Sequence, residues 1–236
     1  MLRRTFLTYS GVAPFLDATS EKGNVLVAGG HPGDPEYGCG GTIAKLTKAG
    51  YRVTILYLNR GEKGCRVMNA DCGSLRTREA ENACRILGAT PTFGKEVDGE
   101  AVVDNAAYSS FEDLIGSHQP ELIITHWPID NHRDHRAISL LSYDAWHNRR
   151  ATCSLYYYEV TDGEDTVMFS PTDYVDITAE EGLKRKACFA HASQSPERFY
   201  KIQSDITRFR GSQVGCVHAE GFIRCAGSRA HPMLTS

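Results

Sequence analysis

The sequence predicts a single α/β domain, built on an open and mostly parallel β-sheet with helices on both faces. Segments that are apolar throughout alternate along the chain with segments whose apolar residues recur every three or four positions, as they do in helices. Strands that are continuously apolar are typical of parallel sheets, because helices cover both faces of such a sheet. The length of 236 residues fits one domain with a substantial core.

The predicted elements follow one another in regular alternation. Strands are predicted at 24–29, 52–58, 121–125 and 154–160, and helices at 40–49, 75–87, 106–118 and 135–147. A further helix, opened by a capping box of Thr178 and Glu181, is expected to reach about residue 192. Ligands bind parallel sheets at the carboxyl ends of the strands, so the loops after residues 29, 58 and 125 are expected to carry the chemistry.

Composition and charge narrow the classes of function. The net charge is −3 with no long basic or acidic run, which argues against a nucleic acid partner. No stretch approaches the roughly 20 apolar residues of a membrane span. Residues 1–22 are interpreted as an export signal or a disordered tail, because Arg3 and Arg4 before an apolar segment resemble a twin-arginine signal. The folded domain is then 23–236, and the protein is exported if the segment is a signal and cytoplasmic if it is not.

The eight cysteines contain no CxxC pair and no zinc-finger spacing. Cys84, Cys153 and Cys188 lie in apolar surroundings, which predicts buried thiols. Cys65 and Cys72 flank a loop. They are expected to form a disulfide in an exported protein and to stay reduced in the cytoplasm.

Metal-binding residue types follow two of the predicted strands. His31 and Asp34 are three residues apart after the first strand, and His132 and His135 are three apart where the helix after the third strand begins. Taken singly, either pair is more often structural. Their joint position at strand ends favours one divalent metal, because imidazole nitrogen and carboxylate oxygen are typical zinc ligands.

Longer motifs around these pairs resemble the LmbE-like or PIG-L-type N-acetylglucosaminyl deacetylases. The resemblance is carried by VAGGHPGDPEYGCGGTIAKL at 27–46, NRGE at 59–62, HWPIDNHRDHRA at 126–137, AHASQ at 190–194 and HAEGF at 218–222. It implies a Rossmann-like fold and a zinc-dependent hydrolase that removes the acetyl group from a small N-acetylated amino sugar.

The resemblance also implies roles for particular residues. His31, Asp34 and His135 would bind Zn²⁺ or another divalent metal. His132 would stabilise the oxyanion or protonate the leaving amine. Arg76, on the second helix, would recognise the substrate.

One position departs from the family pattern. The first loop of the family usually reads His-Pro-Asp-Asp, with the first Asp as general base, whereas this chain has Gly33 there. Asp130 is the preferred substitute because its loop directly follows the third strand, although a simple turn residue is the alternative. Glu36 is the second candidate, and Asp134 is expected to point away and hold an imidazole. Hydrolysis without a dedicated base, or weak hydrolysis, also remains open.

Two further residues and two rival functions complete the predictions. Arg60 either shapes the substrate pocket or forms a surface ion pair with Glu62, and His191 either lines the pocket or lies at a helix end. One rival function is a metal- or sugar-binding homologue that has lost catalysis at Gly33. The other is a domain that binds a nucleotide or S-adenosylmethionine, suggested by the glycine-rich first loop, which leaves the paired histidines unexplained. The sequence does not predict the oligomeric state.

Overall fold

The computed structural model describes residues 22–65, 71–160 and 165–234, so nearly all of the predicted signal or tail at 1–22 lies outside the described residues. Seven strands and six α-helices occur in the described part of the chain. The strands are β1 (Asn24–Gly29), β2 (Arg52–Tyr57), β3 (Thr90–Phe93), β4 (Leu122–His126), β5 (Ser154–Tyr158), β6 (Asp173–Asp176) and β7 (Ala219–Arg224). The helices are α1 (Asp34–Lys48), α2 (Cys72–Leu87), α3 (Asn105–Ser117), α4 (Arg133–His147), α5 (Glu181–Phe189) and α6 (Pro196–Val214).

The strands form one mixed sheet in the order β3-β2-β1-β4-β5-β7-β6. The five strands from β3 to β5 are mutually parallel, and β7 runs antiparallel to both of its neighbours. The chain builds outward from β1 to β3 and then returns to place β4 on the other side of β1. The strand order therefore reverses between β1 and β4, and such a switch point leaves a crevice at the carboxyl ends of the two strands.

The core is divided between the two faces of this sheet. In β1, Val25 and Val27 face one cluster, packed with α1, α2 and α5, while Leu26 and Ala28 face the other, packed with α3 and α4. All four side chains are buried. This two-sided burial explains why the strand is apolar at successive positions, and it confirms the predicted fold class.

Helix α1 starts earlier than predicted, at Asp34 instead of residue 40. The glycine-rich stretch lies inside the helix, which is kinked at Cys39 (φ −142°, ψ 27°). A Cβ on Gly41 would lie 2.7 Å from side-chain carbons of Ile177. Glycine at this position thus lets α1 pack closely against the neighbouring chain.

The C-terminal third differs most from the sequence prediction. The long helix α6 and the strands β6 and β7 were not predicted, and neither was the edge strand β3 nearer the middle of the chain. The capping box at Thr178 is wrong, because α5 begins only at Glu181 and the backbone N–H of Thr178 donates to Asp176 Oδ1. The helix also ends at Phe189, before the expected residue 192.

The cysteines divide as their sequence surroundings suggested. Cys84, Cys153 and Cys188 are buried free thiols, which confirms the prediction. Cys65 and Cys72 form a disulfide, with their Cα atoms 5.6 Å apart. Within the described residues, no helix is both long and apolar enough to cross a membrane.

Candidate metal centre

The two histidine-containing loops meet at the switch point of the sheet. β1 pairs in parallel with β4, so the loop after Gly29 and the loop after His126 leave the same edge of the sheet side by side. Asp34 opens α1 and His135 lies in the first turn of α4. The sheet therefore brings together residues that are about a hundred positions apart in the sequence.

Two of the three predicted ligands, His31 and His135, each lie close to the third, Asp34. Asp34 Oδ2 lies 3.1 Å from His31 Nδ1 and 3.1 Å from His135 Nε2. Ligand atoms on a tetrahedral zinc-like ion are about 3.3 Å apart, since each lies about 2 Å from the metal. Both distances to Asp34 are close to this value, and two imidazole nitrogens with one carboxylate oxygen suit a divalent cation chemically. Each of the three residues also belongs to a group whose ligand atoms lie within 4.8 Å of one another; these groups are His31, His132 and His135, then Asp34, His126 and His135, and then His31, Asp98 and Asp134.

The opposite nitrogen of each ligand imidazole faces a carboxylate. His31 Nε2 lies 3.1 Å from Asp134 Oδ2 and 3.3 Å from Asp98 Oδ1, and His135 Nδ1 lies 3.1 Å from Asp130 Oδ1. To bind a metal the inner nitrogens must lose their protons, and a proton held on each outer nitrogen by a carboxylate favours that form. Histidines that bind metals are typically oriented in this way.

Four aspartates lie around the imidazoles of His31 and His135 and favour the protonated, positively charged form of these two rings. They are Asp34, Asp98, Asp130 and Asp134. Burial alone would lower the pKa of His135, but the charge of Asp34 and the hydrogen bonds to Asp130 and Asp34 outweigh it and raise this pKa to about 9. Burial would raise the pKa of Asp34, yet the charges of His135 and His31 hold it well below its usual range. Asp34 is therefore a carboxylate at neutral pH, as a metal ligand must be.

His132 stands beside the ligand set at the start of α4. Its Nδ1 accepts the backbone N–H of Asp134 at 3.2 Å, so in the neutral ring the proton lies on Nε2. The ring centroid is 4.5 Å from that of His31 and 4.8 Å from that of His135. Burial and then the charges of His31 and His135 lower the pKa of His132. It is placed to donate a hydrogen bond to a molecule at the metal.

Two adjoining cavities open beside the cluster. The metal cavity, about 350 Å³, is lined by His31, Asp34, Lys63, Gly64, Arg76, Asp98, His132, His135, Asp165 and Gln194. The side cavity, about 180 Å³, shares Asp34, Arg76, Asp165 and Gln194 with it and adds Pro32, Gly33, Tyr37, Val160, Phe199 and Gln203. A small substrate has room to occupy both.

The two predicted substrate-binding arginines have different positions. Arg76 is buried and lines both cavities, and its guanidinium donates to the carbonyl oxygens of Pro32 at 2.7 Å and Gly61 at 3.4 Å. Arg60 lines neither cavity and forms the alternative ion pair, 3.2 Å from Glu62.

Glu36 and His191 lie together in the interior and line neither cavity. Both side chains are fully buried, with Glu36 Oε1 3.1 Å from His191 Nε2 and accepting the Tyr57 hydroxyl at 2.6 Å. The expected roles of Glu36 as proton acceptor and His191 as pocket residue do not fit this placement, because neither side chain reaches a substrate.

The expected role of Asp130 also needs correction. Its Oδ1 faces His135 Nδ1 and accepts the backbone N–H of His132 at 2.8 Å, while Oδ2 accepts the Thr166 hydroxyl at 3.0 Å. Asp130 thus lies behind His135 and does not face the metal cavity. The prediction for Asp134, which holds the imidazole of His31, fits the structure.

Two residues of the centre were missed from the sequence. His126, the last residue of β4, is fully buried and stacks on His135 with centroids 4.0 Å apart. Its Nε2 lies 3.4 Å from Asp34 Oδ2 but already accepts the N–H of Gly30 at 3.1 Å, so its lone pair is engaged. Asp98 follows β3 and lies beside His31. Because β3 was not predicted, the sequence did not indicate that Asp98 lies at the metal centre.

Gly33 has a backbone conformation that favours glycine, with φ +111°. The space for a side chain is open, since a Cβ would be 3.8 Å from the ring of Tyr37 and 3.9 Å from that of His191. Glycine at position 33 is therefore explained by the backbone conformation and not by a lack of space for a side chain.

Comparison with known proteins agrees with this architecture. Residues 26–146, a little over half of the chain, match the family described as PIG-L: GlcNAc-PI de-N-acetylase. The diacetylchitobiose deacetylase of Thermococcus kodakarensis is 26% identical over 226 residues, covering 88% of this chain and 85% of the relative.

Two solved structures share the fold. The N,N'-diacetylchitobiose deacetylase of Pyrococcus horikoshii has a TM-score of 0.77 at 24% identity, over 86% of this chain and 84% of its own. GalB, the 4-carboxy-2-hydroxymuconate hydratase of Pseudomonas putida, has a TM-score of 0.76 at 23% identity, over 91% of this chain and 98% of its own.

The open α/β sheet, with histidines and aspartates that could hold a metal ion gathered at its switch point, defines a class of α/β proteins with a candidate metal site at the strand ends. Within that class the match over 26–146 is decisive. The chain belongs to the PIG-L family, whose described activity is de-N-acetylation.

Proposed function

We propose that the protein is a zinc-dependent hydrolase that removes the acetyl group from an N-acetylated amino sugar or a related small amide. The single observation that carries the proposal is that His31 Nδ1 and His135 Nε2 each lie 3.1 Å from Asp34 Oδ2. Three protein ligands beside an open cavity are typical of a catalytic zinc site, in which a fourth position is left for water or substrate.

The size and lining of the cavities support a small sugar as substrate. The metal cavity is lined largely by polar and charged side chains, and Tyr37 and Phe199 add aromatic surface in the side cavity. The curated relative named as a diacetylchitobiose deacetylase supports the same substrate class. Tyr37 and Phe199 are suited to pack against a sugar ring, while the buried guanidinium of Arg76 holds the loops at Pro32 and Gly61 in place.

Zinc bound by the three ligands would supply Lewis acidity toward the amide carbonyl and lower the pKa of an attacking water. His132 would contribute a hydrogen bond from Nε2 to the oxygen that gains charge during attack, because its Nδ1 is held by the N–H of Asp134. As the C–N bond breaks, the amine takes up a proton and acetate departs. Asp130 and Asp134 keep the two ligand imidazoles in orientation throughout.

The direct test compares wild type with His31→Ala. We expect wild type to bind one zinc ion per chain and to release acetate from N-acetylated amino sugars, and the variant to lose both properties. His147→Ala is the matched control, because His147 lies at the exposed end of α4 and pairs with Arg150. Metal content is measured by elemental analysis and acetate by an enzyme-coupled assay.

Two results would count against the proposal. Full activity in His31→Ala would remove His31 from the ligand set. Wild type that binds zinc but hydrolyses no N-acetyl compound would favour the rival in which a homologue binds metal or sugar without catalysis.

A further inference from the structure

A general base accelerates amide hydrolysis by taking a proton from the attacking water, and the candidates here are the carboxylates that line the cavities. Among the described residues, Asp34, Asp98 and Asp165 line the metal cavity. Asp130, Asp134 and Glu36 line neither cavity. The proton acceptor is therefore sought among these three side chains. This inference rests on the proposed function.

Two of the three either supply or orient a proposed metal ligand. Asp34 supplies the ligand oxygen itself. Asp98 Oδ1 lies 3.3 Å from His31 Nε2, and Oδ2 accepts the backbone N–H of Lys63 at 3.2 Å. Because Nε2 is the outer nitrogen of His31, Asp98 lies on the side of that ring away from Asp34. It is positioned to orient His31 instead of meeting the water.

Asp165 lines the metal cavity from a segment separate from the two that carry the ligands. It is the one carboxylate apart from Asp34 that, among the described residues, lines both cavities. It therefore shares one cavity with the ligand histidines and the other with Gly33.

The backbone at Asp165 is tied to the metal centre. The carbonyl oxygen of Asp165 accepts the N–H of Asn131 at 2.9 Å. The next residue, Thr166, forms a β-bridge with Asp130, and its hydroxyl donates to Asp130 Oδ2. These contacts fix Asp165 relative to the loop that carries His132 and His135, as a catalytic side chain requires.

We propose that Asp165 is the general base of this enzyme. One O–H bond of the water breaks, its proton passes to the carboxylate of Asp165, and the water oxygen bonds to the amide carbon. When the C–N bond breaks, a proton returns to the amine nitrogen and the carboxylate is regenerated. The second proton of the water leaves with the acetic acid product and is lost to solvent as acetate forms.

The first experiment is Asp165→Asn, measured beside Asp113→Asn, the same chemical change on the exposed face of α3. We expect kcat of Asp165→Asn to fall by about 10²–10⁴-fold, the usual contribution of general-base catalysis. Zinc affinity, from competition with a chromophoric chelator, and the thermal midpoint should match wild type. The acidic limb of the pH profile of kcat should shift or disappear.

Gly33 offers a complementation test because it lines the side cavity together with Asp165, and a Cβ there would lie no closer than 3.8 Å to its neighbours. In the Asp165→Asn background, Gly33→Asp returns a carboxylate to the cavity, whereas Gly33→Asn imposes the same backbone cost at positive φ without one. We expect the Gly33→Asp double variant to be at least about tenfold faster than the Gly33→Asn double variant, a small part of the general-base contribution.

The outcomes separate this inference from the function on which it rests. Wild-type kcat in Asp165→Asn would overturn the inference and leave the deacetylase proposal standing, as would equal rates in two folded double variants. Loss of zinc in Asp165→Asn would also overturn it, because Asp165 would then act through the metal site. If wild type itself binds no zinc and releases no acetate, the proposed function fails and the inference fails with it.

Discussion

At the scale of single residues, the aspartates behind the ligand histidines decide how those histidines are oriented. Asp134 is fully buried, and its Oδ2 accepts the side-chain amide of Asn59 at 2.9 Å and the N–H of Gly99 at 2.8 Å in addition to facing His31. Burial would raise its pKa, but the hydrogen bonds from His31 and Gly99 lower it to about 2. Asp134 is therefore a fixed negative charge that keeps a proton on His31 Nε2.

This arrangement makes Asp134→Asn a test of orientation. The amide is nearly the same size but carries no charge, so we expect zinc affinity to fall by about 10–100-fold, as for other partners of metal-binding histidines. Competition with a chelator measures the affinity. Asp144→Asn, on the exposed face of the same helix, should bind zinc like wild type. Unchanged affinity in Asp134→Asn would show that His31 is oriented without it.

The sequence identified which residues could bind a metal but not where every side chain points. His31, Asp34 and His135 were recognisable as candidate ligands. They are of metal-binding residue types, they occur in closely spaced pairs, and these pairs follow predicted strands. Asp130 and Glu36 are also close in sequence to predicted ligands. However, Asp130 lies behind His135 and Glu36 lies in the interior. Asp98 depends on a neighbouring strand, so no local pattern marks it.

At the scale of elements, helix α1 depends on a buried ion pair supplied by distant segments. The kink at Cys39 interrupts the helix, and the N–H groups of Gly41 and Thr42 just beyond it donate to Glu220 of β7 at 2.9 and 2.7 Å. Lys184 of α5 lies 2.6 Å from the same carboxylate and donates to the carbonyl oxygen of Tyr37 at 2.5 Å. The pair thus holds the helix that begins with the ligand Asp34.

Removing one partner should be costly. Lys184 and Glu220 are both almost fully buried, so Lys184→Met leaves an uncompensated carboxylate in the interior. We expect the free energy of unfolding to fall by about 3–5 kcal/mol, measured by urea denaturation. Lys186→Met, on the exposed side of α5, should change it by no more than about 0.5 kcal/mol. A loss below about 1 kcal/mol in Lys184→Met, well under the range for a broken buried pair, would contradict this role.

The buried Glu220 of this ion pair also explains why β7 was not predicted, and a proline explains the same for β3. β7 has the sequence AEGFIR, in which a buried glutamate and a glycine interrupt the apolar pattern that marks a central strand. β3 contains Pro91 and lies at the edge of the sheet, where a proline is tolerated but weakens the strand signal. By contrast β1, β2 and β4 are apolar nearly throughout and were located within one or two residues.

At the scale of the whole molecule, the order of the strands creates the site. The sequence predicts a parallel sheet and places chemistry on the loops after two strands, but it does not say that these strands are neighbours. The parallel pairing of β1 with β4 at the switch point supplies that information. The fold does not by itself select the reaction, since a hydratase shares it. The function must therefore be argued from the metal centre.

The most direct measurement is anomalous X-ray diffraction from crystals grown with zinc, with data collected above and below the zinc absorption edge. We expect one strong anomalous difference peak at about 2.0–2.2 Å from His31 Nδ1, Asp34 Oδ2 and His135 Nε2. Those three atoms with no peak between them, or a zinc ion bound instead through His126 or Asp98, would contradict the assignment of the metal centre.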